Sequence, residues 1–123
     1  MSWDFYLCDS VSEEVLTIDT PHFMFGGTYC PDGTNQLHLN VTYNYSKVIN
    51  PAMFDNPQEK SYAEIFDGKT ALETIPLLNR AISNLSDNTD NDYWKPTEGN
   101  AKRALNQLLT IAKMRPDGVW KVY

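Results

Sequence analysis

The chain has 123 residues, of which 41% are hydrophobic and 12% aromatic, and carries a formal net charge of −6. That length suits one domain, since two halves would each be too small to bury a core, and the large aromatic side chains supply enough burial to exclude disorder of the chain as a whole. Six acids and no Lys or Arg in residues 1–46 argue against direct binding of nucleic acid, and a base excess occurs only in residues 95–123, where six bases face two acids.

Residues 3–8 alternate and are rich in aromatics, which predicts a strand with Trp3, Phe5 and Leu7 on one face. Asp9-Ser10 makes a turn, and residues 14–18 read as a second strand returning antiparallel, broken by Thr20-Pro21. Residues 22–35 are dense in turn formers (Gly26-Gly27, Pro31-Asp32-Gly33) and predict a long loop or irregular hairpin, a length often tied to function. Residues 36–45 carry the clearest strand pattern. Leu37, Leu39, Val41, Tyr43 and Tyr45 take one face, and His38, Asn40, Thr42 and Asn44 the other. The second face is polar yet uncharged, where a plain solvent face would carry Lys or Glu.

Residues 46–69 contain two prolines, with helix expected around residues 51–55 and 61–66 and a turn at Asp67-Gly68. Thr70 and Glu73 form a T-x-x-E capping box that opens a helix. Its apolar stripe is Ala71, Ile75, Leu78, Ile82 and Leu85, at steps of four and three. Pro76 lies off that stripe, and its missing N–H and clash with the Leu72 carbonyl predict a kink. Residues 86–92 form a polar, acidic loop, followed by the aromatic anchor Tyr93-Trp94 and by Thr97, the N-cap of a second helix. Ala101, Ala104, Leu105, Leu108, Ile111 and Ala112 form its buried stripe, and Lys113 and Arg115 suit the dipole of its last turn. Pro116-Asp117-Gly118 stops this helix, leaving Val119, Trp120 and Val122 as a short apolar tail. The assembly predicted for residues 1–123 is one α+β domain: a small antiparallel sheet of three to four strands packed on two C-terminal helices.

Cys8, His22, Cys30 and His38 are the side chains zinc prefers, but their spacing lacks the C-x2–4-C knuckle of a zinc site. Buried thiols and hydrogen-bonded histidines are the default, and no metal or cofactor is expected. Cys30 with His22 is a nucleophile–base pair on paper only, without a local signature, and the scattered acids form no carboxylate couple. The chain is therefore read as not an enzyme. Gly26-Gly27 either cradles an anion or serves a turn; no helix start and no P-loop lysine follow it. Asn40, Thr42 and Asn44, flanked by His38 and by His22 from the loop, are read either as a shallow hydrogen-bonding pocket or interface, or as an ordinary wet face. Arg115 and Asp117 read as a cap. Trp120 is either an interaction anchor or a core plug. No apolar run reaches the ~20 residues of a membrane span, and no basic leader begins the chain, so the expected setting is a reducing cytoplasm with free thiols.

Four segments taken together, residues 22–29 (HFMFGGTY), 39–46 (LNVTYNYS), 93–101 (YWKPTEGNA) and 108–120 (LLTIAKMRPDGVW), resemble a family of short proteins carried by phages, prophages and conjugative elements of Gram-positive bacteria. Typical forms in that family read H-x-M-x-G-G-T-Y, L-N-I-T-Y-N-Y-S, Y-W-x-x-T-E-G-N-A and L-A-x-x-R-P-D-G-V-W. Gly68 to Ala71, ahead of Ile75-Pro76, also resembles its G-K-T-G-A-E-S-I-P pattern, with the second Gly absent. The resemblance implies no catalytic residue. It implies a context, the bacterial host cell, in which small acidic proteins commonly inhibit host defence, as anti-CRISPR proteins do, or sequester immune nucleotide signals. The expected partner is accordingly a host protein with a basic surface, with a small nucleotide as the alternative ligand. The candidate binding residues are His22, Gly26, Gly27, His38, Asn40, Thr42, Asn44 and Trp120, with the Asn40, Thr42 and Asn44 face, His22 and the Gly26-Gly27 loop serving the small-ligand alternative.

Overall fold

The structure, a computed structural model, describes residues 1–24 and 32–123. It is an α+β fold, with strands β1 (Ser2–Cys8), β2 (Thr17–His22), β3 (Thr34–Gln36), β4 (His38–Thr42) and β5 (Val119–Val122). The helices are α1 (Ser46–Met53), α2 (Tyr62–Phe66), α3 (Ala71–Asn84) and α4 (Glu98–Met114). A three-stranded antiparallel sheet has the order β4-β1-β5, and β2 and β3 form a separate two-stranded ribbon.

The central strand follows from its own alternation. Phe5 and Leu7 point inward and are fully buried, in register with Leu39 on β4 and Trp120 on β5, respectively. The inner face meets Leu78 and Ala81 of α3 and Leu105, Leu108 and Ile111 of α4 in one continuous core. Every residue of the stripe predicted for α4 is buried, because a helix opened by Thr97 (whose hydroxyl accepts the Asn100 N–H) keeps one face on the sheet for its whole length. Thr70 caps α3 in the same way through the Glu73 N–H. The α3 stripe is rotated from expectation: Ala71, Thr74, Leu78 and Ala81 are buried, whereas Ile75 and Ile82 are only partly so. Thr74 is tolerated there because its hydroxyl donates to the Ala71 carbonyl and accepts the Trp120 indole N–H. Pro76 lies on the exposed side of α3, and the helix runs through it without interruption.

Further expectations change. The strand predicted for residues 36–45 ends at Thr42, where extended backbone and a hydroxyl accepting the Asn44 N–H cap a single 3-10 turn, Tyr43–Tyr45, that leads into α1. This reversal separates two tyrosines predicted to share a face: Tyr45 is buried and Tyr43 exposed. The strand predicted for residues 14–18 touches β1 only through a bridge at Val15 and the Leu16 amide, and the regular strand starts at Thr17 and pairs with β3. Pro21 does not break it, because it falls where the β2–β3 register shifts and no regular ladder donor is needed there. Finally, the C-terminal tail is a sheet strand. The outer edge of β5 is covered by residues 67–71, through Gly68 N–H to Trp120 O and Trp120 N–H to Lys69 O.

The turn before β5 also serves α3. Pro116 and Gly118 offer carbonyls to the amides of Leu72 and Ala71, two of the orphan donors at that helix start. Gly118 is required by proximity: a Cβ there would come within 2.6 Å of Leu7. Arg115 grips Asp117 through two bonds of 3.1 and 2.8 Å, and this partner holds the Asp117 carboxyl below the usual range.

Candidate functional site

The outer face of the three-stranded sheet gathers polar groups from all three strands. His38 Nε2 lies 2.9 Å from Asp4 Oδ1, and the Asn40 amide donates to the same oxygen at 3.0 Å and to Ser2 Oγ at 2.7 Å. Both bonds converge on Oδ1 of a half-exposed carboxylate, so Asp4 Oδ2 is the oxygen turned away from this network. The Tyr6 ring stacks on His38 with centroids 4.4 Å apart and meets Tyr123 edge to face at 5.9 Å. Burial, reinforced by the neighbouring Asp4 charge, raises the Tyr6 phenol above its ordinary pKa. Beside them Lys121 donates to Glu13 Oε1 at 2.6 Å, which holds the Glu13 carboxyl below its ordinary pKa. Cys8 lies at the base of this face, 2% exposed, with its thiol raised chiefly by burial. Burial of this kind disfavours the reactive thiolate.

The predicted site residues are not brought together as one neutral strip. His38 and Asn40 do share this face, but Asn40 is 7% and Thr42 1% exposed, and Asn40 Nδ2 and Thr42 Oγ1 are used internally. Asn44 is exposed, beyond the strand end, and its amide donates to the Trp94 carbonyl at 2.9 Å. His22 sits in the separate ribbon, where Nδ1 accepts the Met24 N–H and Nε2 donates to the Gln36 carbonyl, a pairing that defines the neutral Nε2–H tautomer. Trp120 holds as a core plug, and its reading as an interaction anchor is corrected. It is fully buried against Phe5 and Phe66, because pairing of β5 with β1 turns alternate residues inward. Gly26, Gly27 and Cys30 lie outside the described residues. Among the described residues, no group of three or more His, Cys, Asp or Glu could hold a metal, and no helix is long and apolar enough to cross a membrane.

Most of the YWKPTEGNA segment is explained by the fold. Asn100, 1% exposed, donates to the carbonyls of Asp92 and Lys95 and accepts from the Asp90 amide and Arg103, which ties the whole preceding loop to α4. Glu98 accepts the Ser86 N–H. Gly99 lets the loop lie against the helix, since a Cβ would stand 2.6 Å from the Asn88 carbonyl carbon. What the fold does not bury is the aromatic end of the sheet. Trp94 is 49% and Tyr43 38% exposed. Tyr43 packs on Trp3 at 4.5 Å and Trp94 on Tyr93 at 5.3 Å, while the Tyr93 hydroxyl accepts the Thr42 N–H. Strand alternation puts Tyr43 on the same face as Leu39 and Val41, which are buried. The exposed pair is visible only once the 3-10 turn reverses the chain.

Comparisons with models of known protein families, with curated proteins and with solved structures gave no match.

Proposed function

We propose that this chain is a non-enzymatic accessory protein of a phage or related mobile element. It acts by binding a host protein, and the target is a component of a bacterial antiviral defence system, in the manner of an anti-CRISPR protein. The four resembling segments support the context, and the base-free first third supports a basic partner surface, toward which complementary charge would steer encounter. The observation that carries the binding mode is the exposed Tyr43–Trp94 end of the sheet. Tyr43 packs on Trp3 and Trp94 on Tyr93, and Asn44 ties down the Trp94 main chain, which reduces the freedom to be lost on contact. Tyr and Trp presented in this way are the side chains enriched in binding hot spots.

The test is capture from a bacterial host lysate at physiological salt by tagged full-length chain, beside Trp94→Ala and Tyr43→Ala variants shown to fold. A discrete protein retained by the parent chain and lost from Trp94→Ala supports the reading, and recovery of nothing counts against it. The alternative, a sponge for a nucleotide signal, draws less support, because Asn40 and Thr42 are buried and Asn40 Nδ2 and Thr42 Oγ1 serve Ser2, Asp4 and the 3-10 turn. A thermal-shift series with cyclic nucleotides and ADP-ribose derivatives separates the two readings. A Cys30–His22 enzyme would require His22 to release Nδ1, its acceptor nitrogen, from the Met24 N–H.

A further inference from the structure

We propose that the shallow depression on the outer face of the sheet receives an arginine side chain of the protein partner. This inference rests on the protein-binding reading above and adds to it the chemistry of one contact. The depression measures about 340 Å³ and is lined by Asp4, Tyr6, Glu13, Lys121 and Tyr123 among others.

Three features select a guanidinium. The first is charge. The one ammonium present, Lys121, is already paired with Glu13, and the adjoining hollow, which shares Glu13, Lys121 and Tyr123, adds Asp67. The carboxylates of Asp4, Glu13 and Asp67 thus outnumber the single cation, which disfavours a phosphate or carboxylate ligand. The second is the disposition of acceptors. His38 and Asn40 occupy Asp4 Oδ1, and Lys121 occupies Glu13 Oε1, so among the described residues the second oxygen of each carboxylate takes no side-chain donor and can accept a new one. A planar fork of N–H groups can serve two separated acceptors, whereas an ammonium acts as a point charge. The third is the aromatic wall. Tyr6 is immobilised by stacking on His38, and Tyr123 meets it with ring planes 73° apart, held there by reciprocal backbone bonds between Tyr123 and Asp4. A flat cation lying on one tyrosine is bordered by the other. Glu13 is held beside β5 by its bond from Lys121.

Titration of the purified chain with N-acetyl-arginine amide and, separately, N-acetyl-lysine amide, followed by NMR of the tyrosine rings, tests this. Saturable shifts centred on Tyr6 and Tyr123, stronger for the arginine probe, are expected. Asp4→Asn is the informative variant, because its side-chain oxygen can still accept from His38 and Asn40 while the outward oxygen becomes an uncharged amide. It should weaken the arginine probe by about fivefold, the upper end for one exposed ion pair, with thermal stability unchanged. Tyr123→Ala, at a position 69% exposed, should weaken it without unfolding the chain. Equal response to both probes, shifts spread over all acidic residues, or unchanged affinity in Asp4→Asn overturns the assignment. Such a failure leaves Trp94-dependent capture from lysate untouched, so the two readings fail separately.

Discussion

Tyr62 provides the sharpest test of the packing described here. Its ring is fully buried, stacked on Phe5 at 5.8 Å and edge-on to Phe66 at 5.8 Å, yet its hydroxyl has no hydrogen-bond partner among the described residues. An unsatisfied buried hydroxyl carries a desolvation penalty of about 1–3 kcal/mol. Tyr62→Phe keeps both ring contacts and the Tyr62 N–H bond to Asn50, and it removes that penalty. Against the gain stands an oxygen-sized void costing a few tenths of a kcal/mol. The net expectation is stabilisation by about 1 kcal/mol, a rise in Tm of roughly 3–5 °C at this chain length. Tyr45→Phe is the control. The Tyr45 hydroxyl donates to the Tyr93 carbonyl, so its loss orphans a partner and should destabilise by about 1 kcal/mol. Urea unfolding of both variants, with equal m-values, reads out the opposite signs. Destabilisation of Tyr62→Phe by as much as Tyr45→Phe would refute the argument, because it would show that the Tyr62 hydroxyl is satisfied in solution.

Three further outcomes follow from the same structure. Gly99→Ala drives a methyl into the Asn88 backbone and should cost about 1–3 kcal/mol in urea unfolding, whereas the same change at exposed Gly68 meets no atom within 4 Å and costs only the strain of its left-handed backbone. Asn100→Ala removes the tie of the 86–97 loop; about 2 kcal/mol or more of stability should be lost, and amide exchange should quicken at Asp90, whose N–H loses its acceptor. The Tyr6, Tyr45, Tyr62 and Tyr93 phenols are raised chiefly by burial, so the unfolded chain ionises first. Their contribution is complete below the ordinary tyrosine pKa near 10 and is lost as pH rises through their higher folded values. Phenolate absorbance should therefore rise cooperatively with loss of circular dichroism; smooth ionisation of all tyrosines in the folded chain near pH 10 would contradict the burial.

Local signals were legible wherever a few neighbouring residues decide the outcome. The stripe of α4 from Ala101 to Ala112, the Thr70 and Thr97 caps, the alternation of Phe5 and Leu7, and the α+β class all follow from periodicity and capping within one or two turns of chain. Which polar residues remain available for function depended on partners far away in sequence. Asp4 claims His38 and Asn40 across separations of 34 and 36 residues, and Thr74 claims Trp120 across 46. Alternation sets Asn40 opposite Leu39 and Val41 on its own strand, but it does not state what meets Asn40, and it says nothing of which face Trp120 takes. Only strand pairing brings Ser2 and Asp4 to Asn40, folds β5 over the core to bury Trp120, and leaves Tyr43, Trp94, Tyr6 and Tyr123 as the aromatic surface. The physical reason is that a buried polar atom is satisfied by whichever donor or acceptor the tertiary fold delivers, and no local pattern encodes that delivery.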